Sequence, residues 1–373
     1  MLHSRVARLG RLVFVLLGSS LHALSVDAQP PTPDFLYVDT GRFTNEVAAF
    51  SVGPGGALTP IAGSPFPTGG MSGGSTHGRI LAFSRQGAVP QARGKPLLYV
   101  LDDATPSLSG FSINPQTGRL TPLPGSPFSI KQGSYFGNGP LAATPNGRLL
   151  MAAGVDFSSM PFIEVYDVGP SGAINRVAGY SFSTFGQIRS MKASPDGRFL
   201  AASLLGGGVA MFSIGSGGSL TPVTGSPFSS PGQSTLDQSS GLDIDCGGLF
   251  VFNPLFSSDR EVAVFDIDPT GGALNPITGS PFFFGGGGNS QLGLLSANDQ
   301  FLFVSNLVGG SSRVVTVLNV AANGALTEIA GSPFGATGLF TPPIWQRSGM
   351  EPSSTSRWSR TRSPCSASRR AAS

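Results

Sequence analysis

Charged side chains make up only 12 % of this 373-residue chain, so a recurring set of polar residues stands out. The set is His77 and Arg79, Asn138, Gln187 and Arg189, Asp243 and Asp245, and Asn289 and Gln291. Each group lies where a loop would pass into a short apolar run. A histidine or carboxylate can take a proton from an attacking water, and a guanidinium can hold the oxyanion formed at a carbonyl. His77 or Asp243 is a candidate base, and Arg79 or Arg189 a candidate cation. Asn138, Gln187, Asp245, Asn289 and Gln291 would complete a binding rim. The same ring also reads as a solvated edge without chemistry.

Other patterns carry less. Gly70-Met71-Ser72-Gly73-Gly74 spells a nucleophile elbow near His77 but lacks the strand-turn-helix context that chemistry needs. The glycine runs 206–208 and 285–288 lack the Lys-Ser/Thr of a phosphate loop and read as turns. Asp243-x-Asp245 and Asp266-x-Asp268 each offer two carboxylates where Ca²⁺ takes six to eight oxygens, and they read as turn residues. The two cysteines, Cys246 and Cys365, form neither a metal-spaced pair nor a disulfide framework. No metal and no cofactor is expected.

The elements that would hold the polar ring are written in a repeat. Gly and Pro together contribute 84 residues, about 23 % of the chain, while mean hydropathy is +0.14. Low charge with this hydropathy excludes a disordered chain, and the Gly and Pro content disfavours helices. The tetrapeptide Gly-Ser-Pro-Phe ends at Phe66, Phe128, Phe228, Phe282 and Phe334, with a degenerate copy ending at Phe182. The mean spacing is about 54 residues, a period of propellers, solenoids or arrays. Each period holds four short runs rich in Val, Leu, Ile and Phe. Turns such as Pro145-Asn146-Gly147 and Pro195-Asp196-Gly197 separate them, which is the pattern of antiparallel hairpins. The expected fold is an all-β propeller of four-stranded antiparallel blades, six repeats visible. The Pro of each tetrapeptide would end the outer strand. Its Phe would plug the space between neighbouring blades. The first repeat lacks an inner strand. Either Gly338–Ile344 supplies it and six blades close, or a seventh blade is missing.

The flanks differ from the repeat. Residues 1–28 read as a signal peptide: Arg5, Arg8 and Arg11, an apolar stretch from Leu12, and Val26-Asp27-Ala28 before a cleavage point. Residues 345–373 hold six Arg and no Leu, Ile, Val or Phe, and read as a disordered tail, possible product of a frame change. Without these flanks, 29–344 carries 14 basic and 18 acidic residues. The formal +3 of the whole chain therefore belongs to its ends, and no nucleic-acid footprint is expected on the propeller domain.

Several runs resemble the YVTN-repeat, lactonase-like β-propeller family. They are Phe35–Val38 with Val47–Val52 and Gly56–Thr59, Leu97–Val100, Ser194–Gly197 and Phe303–Asn306. The resemblance implies a typically seven-bladed propeller, so a truncated one here, and relatives that include 6-phosphogluconolactonases. Ser258–Val262 is similar to the end of a motif that those enzymes carry, but no His precedes it. Asp259 and Arg260 therefore read as a strand-edge salt pair. Two functions are carried forward. One is a secreted module, periplasmic or extracellular, that binds a small-molecule or protein ligand at the channel face. The other is a lactone hydrolase of the 6-phosphogluconolactonase type at the channel mouth. A monomer is expected, with no nucleic-acid partner and no transmembrane segment once the signal is removed.

Overall fold

The computed structural model describes the chain from Asp34 to Ala336. It leaves out 41–42, 54–56, 73–79, 86–94, 131–133, 136–138, 157, 183–186, 206–207, 232–237, 240, 257–259, 286–288, 297 and 309–311. The first sheet comprises β1 (Asp34–Asp39), β2 (Thr44–Val52), β3 (Leu58–Pro60) and β4 (Phe66–Met71). The second holds β5 (Ile80–Arg85), β6 (Lys95–Asp102), β7 (Ser107–Ile113), β8 (Leu120–Pro122) and β9 (Phe128–Ser129). The third holds β10 (Ser134–Tyr135), β11 (Leu141–Ala143), β12 (Leu149–Asp156), β13 (Pro161–Val168) and β14 (Ile174–Ser181). The fourth holds β15 (Ile188–Ala193), β16 (Phe199–Leu204), β17 (Val209–Ile214) and β18 (Leu220–Pro222). In the fifth are β19 (Gln238–Ser239), β20 (Asp243–Ile244), β21 (Phe250–Phe256), β22 (Arg260–Ile267), β23 (Leu274–Pro276) and β24 (Phe282–Phe283). The sixth holds β25 (Asn289–Leu295), β26 (Phe301–Val308), β27 (Ser312–Val320), β28 (Leu326–Glu328) and β29 (Phe334–Ala336). All pairings are antiparallel and join strands close in sequence, as expected for propeller blades. In the first sheet β1 pairs only with β2, so its inner strand is missing among the described residues.

The Gly-Ser-Pro-Phe motif does not end the outer strand; it interrupts it. In the fourth sheet, Val223 N–H donates to Met211 O, and Met211 N–H donates to Ser226 Oγ at 2.9 Å. After Pro227, whose peptide bond is cis, the chain rejoins β17 where Phe228 bridges Val209. The Ser hydroxyl thus replaces the carbonyl that the turn removes from the ladder. Ala49, Gly110, Val264 and Val317 donate likewise to Ser64, Ser126, Ser280 and Ser332, at 2.8–3.0 Å. The proline correctly marks a break, but a side-chain acceptor keeps the strand going beyond it.

Apolar seams join successive sheets. One cluster each spans sheets one and two, two and three, three and four, four and five, and five and six. Phe66, Phe128, Phe182, Phe228 and Phe282 belong to these seams, the plug role expected of them. Turn glycines let the backbone of one sheet rest on the ring of the last. Gly272, at φ +77°, lies so close to Phe199 that an added Cβ would meet the ring at 2.4 Å. Phe334 in the sixth sheet departs from the pattern and is 47 % exposed. Among the described residues, no apolar cluster joins the sixth sheet to the first.

Two seams also carry polar locks from the same repeat position. Asn45, near the start of β2, donates to Asp102 Oδ1 at 3.0 Å across the first seam, and Thr68 Oγ1 lies 2.8 Å from the same oxygen. Ser109 and Ser107 donate to Oδ2, at 2.6 and 3.4 Å. Asp102 is fully buried, and burial raises its pKa against the lowering by these four donors. The equivalent of Asn45 in the fifth sheet is Arg260. It donates to Thr316 Oγ1 (2.8 Å), Glu328 Oε1 (2.9 Å), Gly285 O (2.7 Å) and Phe284 O (2.7 Å). Arg260 pairs with Glu328 of the next sheet; Asp259, its expected partner, lies outside the described residues.

Candidate functional site

Of the described candidates, Arg189 lies in β15, Asp243 in β20, and Asn289 and Gln291 in β25, while Gln187 and Asp245 flank inner strands. At the start of β15 the register with β16 runs Ile188↔Leu204, then Ser190↔Ser203, so Arg189 is the extra residue of a bulge. A bulge leaves its extra residue out of the ladder and re-aims its side chain. Arg189 is half-buried, has no hydrogen bond or ion pair among the described residues, and is held below its usual pKa by desolvation alone. Gln187, also half-buried, lies two residues earlier, and its carbonyl accepts from Leu205 N–H at 2.7 Å. A half-buried guanidinium can hold a carboxylate, a phosphate or a developing oxyanion.

The bulge recurs in the sixth sheet. There β25 shifts register between Ser290 and Leu292, making Gln291 the extra residue at the position matching Arg189. Asn289 pairs with Leu307 at the start of the same strand. His77, Arg79 and Asn138 lie outside the described residues.

The two carboxylates are placed differently from the sequence expectation of a mouth. Asp243 is buried, and its Oδ1 accepts from Lys192 Nζ at 2.9 Å and from Ile244 N–H at 2.9 Å. Its Oδ2 accepts from Leu295 N–H at 3.0 Å. One carboxylate thus stitches the inner strands of the fourth, fifth and sixth sheets. A base needs a free lone pair aimed at water, and Asp243 already receives three donors from the fold, two on Oδ1 and one on Oδ2. Asp245 is buried at the hairpin end of the inner strand, opposite the end that the loop enters. It accepts from Gly247 (3.2 Å), Leu249 (2.7 Å) and Phe250 (2.7 Å). Thr144, Ser194 and Ser296 take the same place, receiving Leu149, Phe199 and Phe301 N–H. That shared repeat position was visible in the sequence and is the signal that Asp245 caps a turn. Asp268 caps a turn too, accepting from Thr270 and Gly271, both at 3.0 Å. No group of three or more potential metal ligands occurs among the described residues. Lys192, which sequence reasoning did not single out, is half-exposed beside Asp243.

Solved structures with the same fold include a candidate 6-phosphogluconolactonase from Bacteroides uniformis. It is 16 % identical with a TM-score of 0.58, over 81 % of this chain and 82 % of that one. The periplasmic gluconolactonase of Pseudomonas aeruginosa is 18 % identical with a TM-score of 0.57, over 80 % and 82 %. At these identities the likeness is one of fold: a lactonase-like β-propeller. No protein-family model and no curated protein matches the chain. No helix among the described residues is long and apolar enough to cross a membrane.

Proposed function

We propose that this chain hydrolyses a lactone at the mouth formed by the loop-entered ends of its inner strands. The observation that carries the reading is Arg189, a half-buried guanidinium displaced by a bulge, with no anionic partner among the described residues. The likeness in fold to the two lactonase-type structures supports it. Water adds to the carbonyl carbon, Arg189 holds the developing oxyanion, and the ring C–O bond breaks. The ring oxygen leaves as a hydroxyl and the acyl carbon becomes a carboxylate, so one water is consumed. His77, three residues before β5 in the sequence, is the proposed base, because Asp243 is engaged by Lys192 and two backbone amides. Residues 1–28 would direct the protein out of the cytoplasm, in keeping with the periplasmic location of one structural neighbour.

The test is the rate of acid release from gluconolactone and 6-phosphogluconolactone above the spontaneous rate. Arg189→Ala should lower kcat/KM by about 10²–10³-fold, the usual loss on removing an oxyanion donor, with Tm unchanged. No acceleration by the wild type, or full activity in Arg189→Ala, overturns the reading. The second reading, binding without turnover, is favoured by the full engagement of Asp243. It predicts sugar-acid binding by titration calorimetry that Arg189→Ala abolishes, with no hydrolysis in either protein.

A further inference from the structure

Proline breaks the outer edge of five sheets but not that of the third. Pro60, Pro122, Pro222 and Pro276 end the three-residue outer strands β3, β8, β18 and β23. Pro65, Pro127, Pro227, Pro281 and Pro333 stand in the turn that follows the outer strand. A proline has no N–H to offer, and an edge interrupted by a turn gives a newcomer little continuous ladder. The third sheet spends the same number of residues here, but Arg176, Tyr180 and Ser181 stand where the fourth has Pro222, Ser226 and Pro227. The segment therefore stays in the ladder. Val165 pairs directly with Ala178, whereas its counterpart Met211 donates to the hydroxyl of Ser226. The result is β14, a mostly exposed outer strand of eight residues with one register shift at Val177. Among the described residues its outer edge pairs with no other strand.

We infer that this edge docks the same strand of a second copy of the chain, antiparallel about a two-fold axis. An antiparallel ladder is its own complement, so two identical edges satisfy each other and the contact closes at two copies. Charge favours a second copy over a foreign charged peptide. The one charged side chain of β14, Arg176, is ion-paired with buried Glu164 on the neighbouring β13 of its own chain. The edge thus neither attracts a charged strand nor repels its own copy. A two-fold between Val177 and Ala178 engages all eight residues. Val177 then lies opposite Ala178, Asn175 opposite Tyr180, and Ile174 opposite Ser181. Arg176 lies opposite Gly179, so no two guanidinium groups meet across the ladder. Val177, 45 % exposed in the single chain, gains an apolar neighbour beside the axis. Eight residues a side is small against the roughly 20–30 of a standard interface, so the dimer is weak and depends on concentration.

The experiment is sedimentation velocity of the full chain across a concentration series, which should show a monomer–dimer equilibrium. Val177→Lys sets a like charge from each copy beside the axis. It should raise the dimer dissociation constant about ten-fold with Tm unchanged. Tyr180→Ser with Ser181→Pro writes the interrupting turn back into β14 and should abolish the dimer. Tyr180 also packs on Phe212, with ring centroids 4.8 Å apart, so this variant loses some stability and Val177→Lys keeps the test decisive. Amide hydrogen exchange over 174–181 should slow at concentrations where the dimer fills. A monomer at every concentration, the expectation from sequence, overturns the inference. So does a dimer that both variants form as readily as the parent, or exchange over 174–181 that does not change on dimerisation.

Discussion

Replacing Asp102 by Asn tests whether a carboxylate is needed in the first seam or merely accommodated. The side chain is fully buried, no cation pairs with it among the described residues, and four donors surround it. Its pKa is raised chiefly by desolvation. In the sixth sheet the matching position is Asn306, whose Nδ2 donates to Thr316 Oγ1 at 2.8 Å, and Thr316 matches Ser109. An asparagine in place of Asp102 could use the same arrangement, with Ser109 donating instead to Thr68 O, 2.9 Å away. Its Oδ1 would still receive Asn45. The expected cost at pH 7 is within about 1 kcal/mol, since one hydrogen bond changes type and a buried charge disappears. Asp102→Ala instead orphans Asn45 Nδ2 and opens a small void, for about 2–4 kcal/mol. The pH dependence has a definite sign. Below the unfolded carboxyl value, about 3.9, the group is neutral in both states and its burial cost is absent. As pH rises toward the raised folded value, the unfolded chain ionises first and the wild type loses stability relative to Asp102→Asn. Above the folded value the difference is flat. Urea melts of both proteins at steps between pH 3.5 and 7.5 read this difference directly. A difference independent of pH, or an Asn variant weaker by more than about 2 kcal/mol, would refute the reasoning.

The remaining predictions concern the other polar contacts. Arg260→Ala leaves two carbonyls without their donor and Glu328 with Ser332 but no cation, and should cost about 3–5 kcal/mol in denaturant melts, the range for breaking a buried pair. Ser226→Ala removes the acceptor of Met211 N–H and should cost about 1–2 kcal/mol, a loss that Ser226→Thr recovers if the hydroxyl is what matters. Asp243→Ala frees two backbone amides from three stitched inner strands and should lower stability by about 2–4 kcal/mol, measured by thermal unfolding. If Asp243 were instead a base, the same variant would lose activity with its Tm intact.

The architecture was legible because a repeat prints the same strand and turn signals six times, so chance patterns average away. The interruption of the outer strand was not, because a proline signals only that a ladder breaks. Whether the strand resumes depends on the Ser hydroxyl, whose partner lies 15 residues back in the chain for Ser226 and Met211. Arg189, Asp243, Asn289 and Gln291 could be picked out in the sequence and lie on inner strands. Composition does not say whether an aspartate faces a channel or takes backbone amides, and Asp243 and Asp245 do the latter. The displacement of Arg189 from the ladder depends on a one-residue bulge, which no local sequence preference announces. The pairing of Arg260 with Glu328 was not legible, because Glu328 arrives only when the next sheet packs.

Every apolar seam joins sheets that are consecutive in the chain. This has a consequence for how the molecule is made. A ribosome releases the repeats in order, and each new sheet meets its predecessor already waiting, with only about one period of chain to close. Assembly can therefore advance from the amino-terminal side, one sheet at a time, without a distant partner. At each stage the leading edge is an uncovered aromatic face like that of Phe334, so a pause in synthesis at any boundary would present the nascent chain with the same sticky surface.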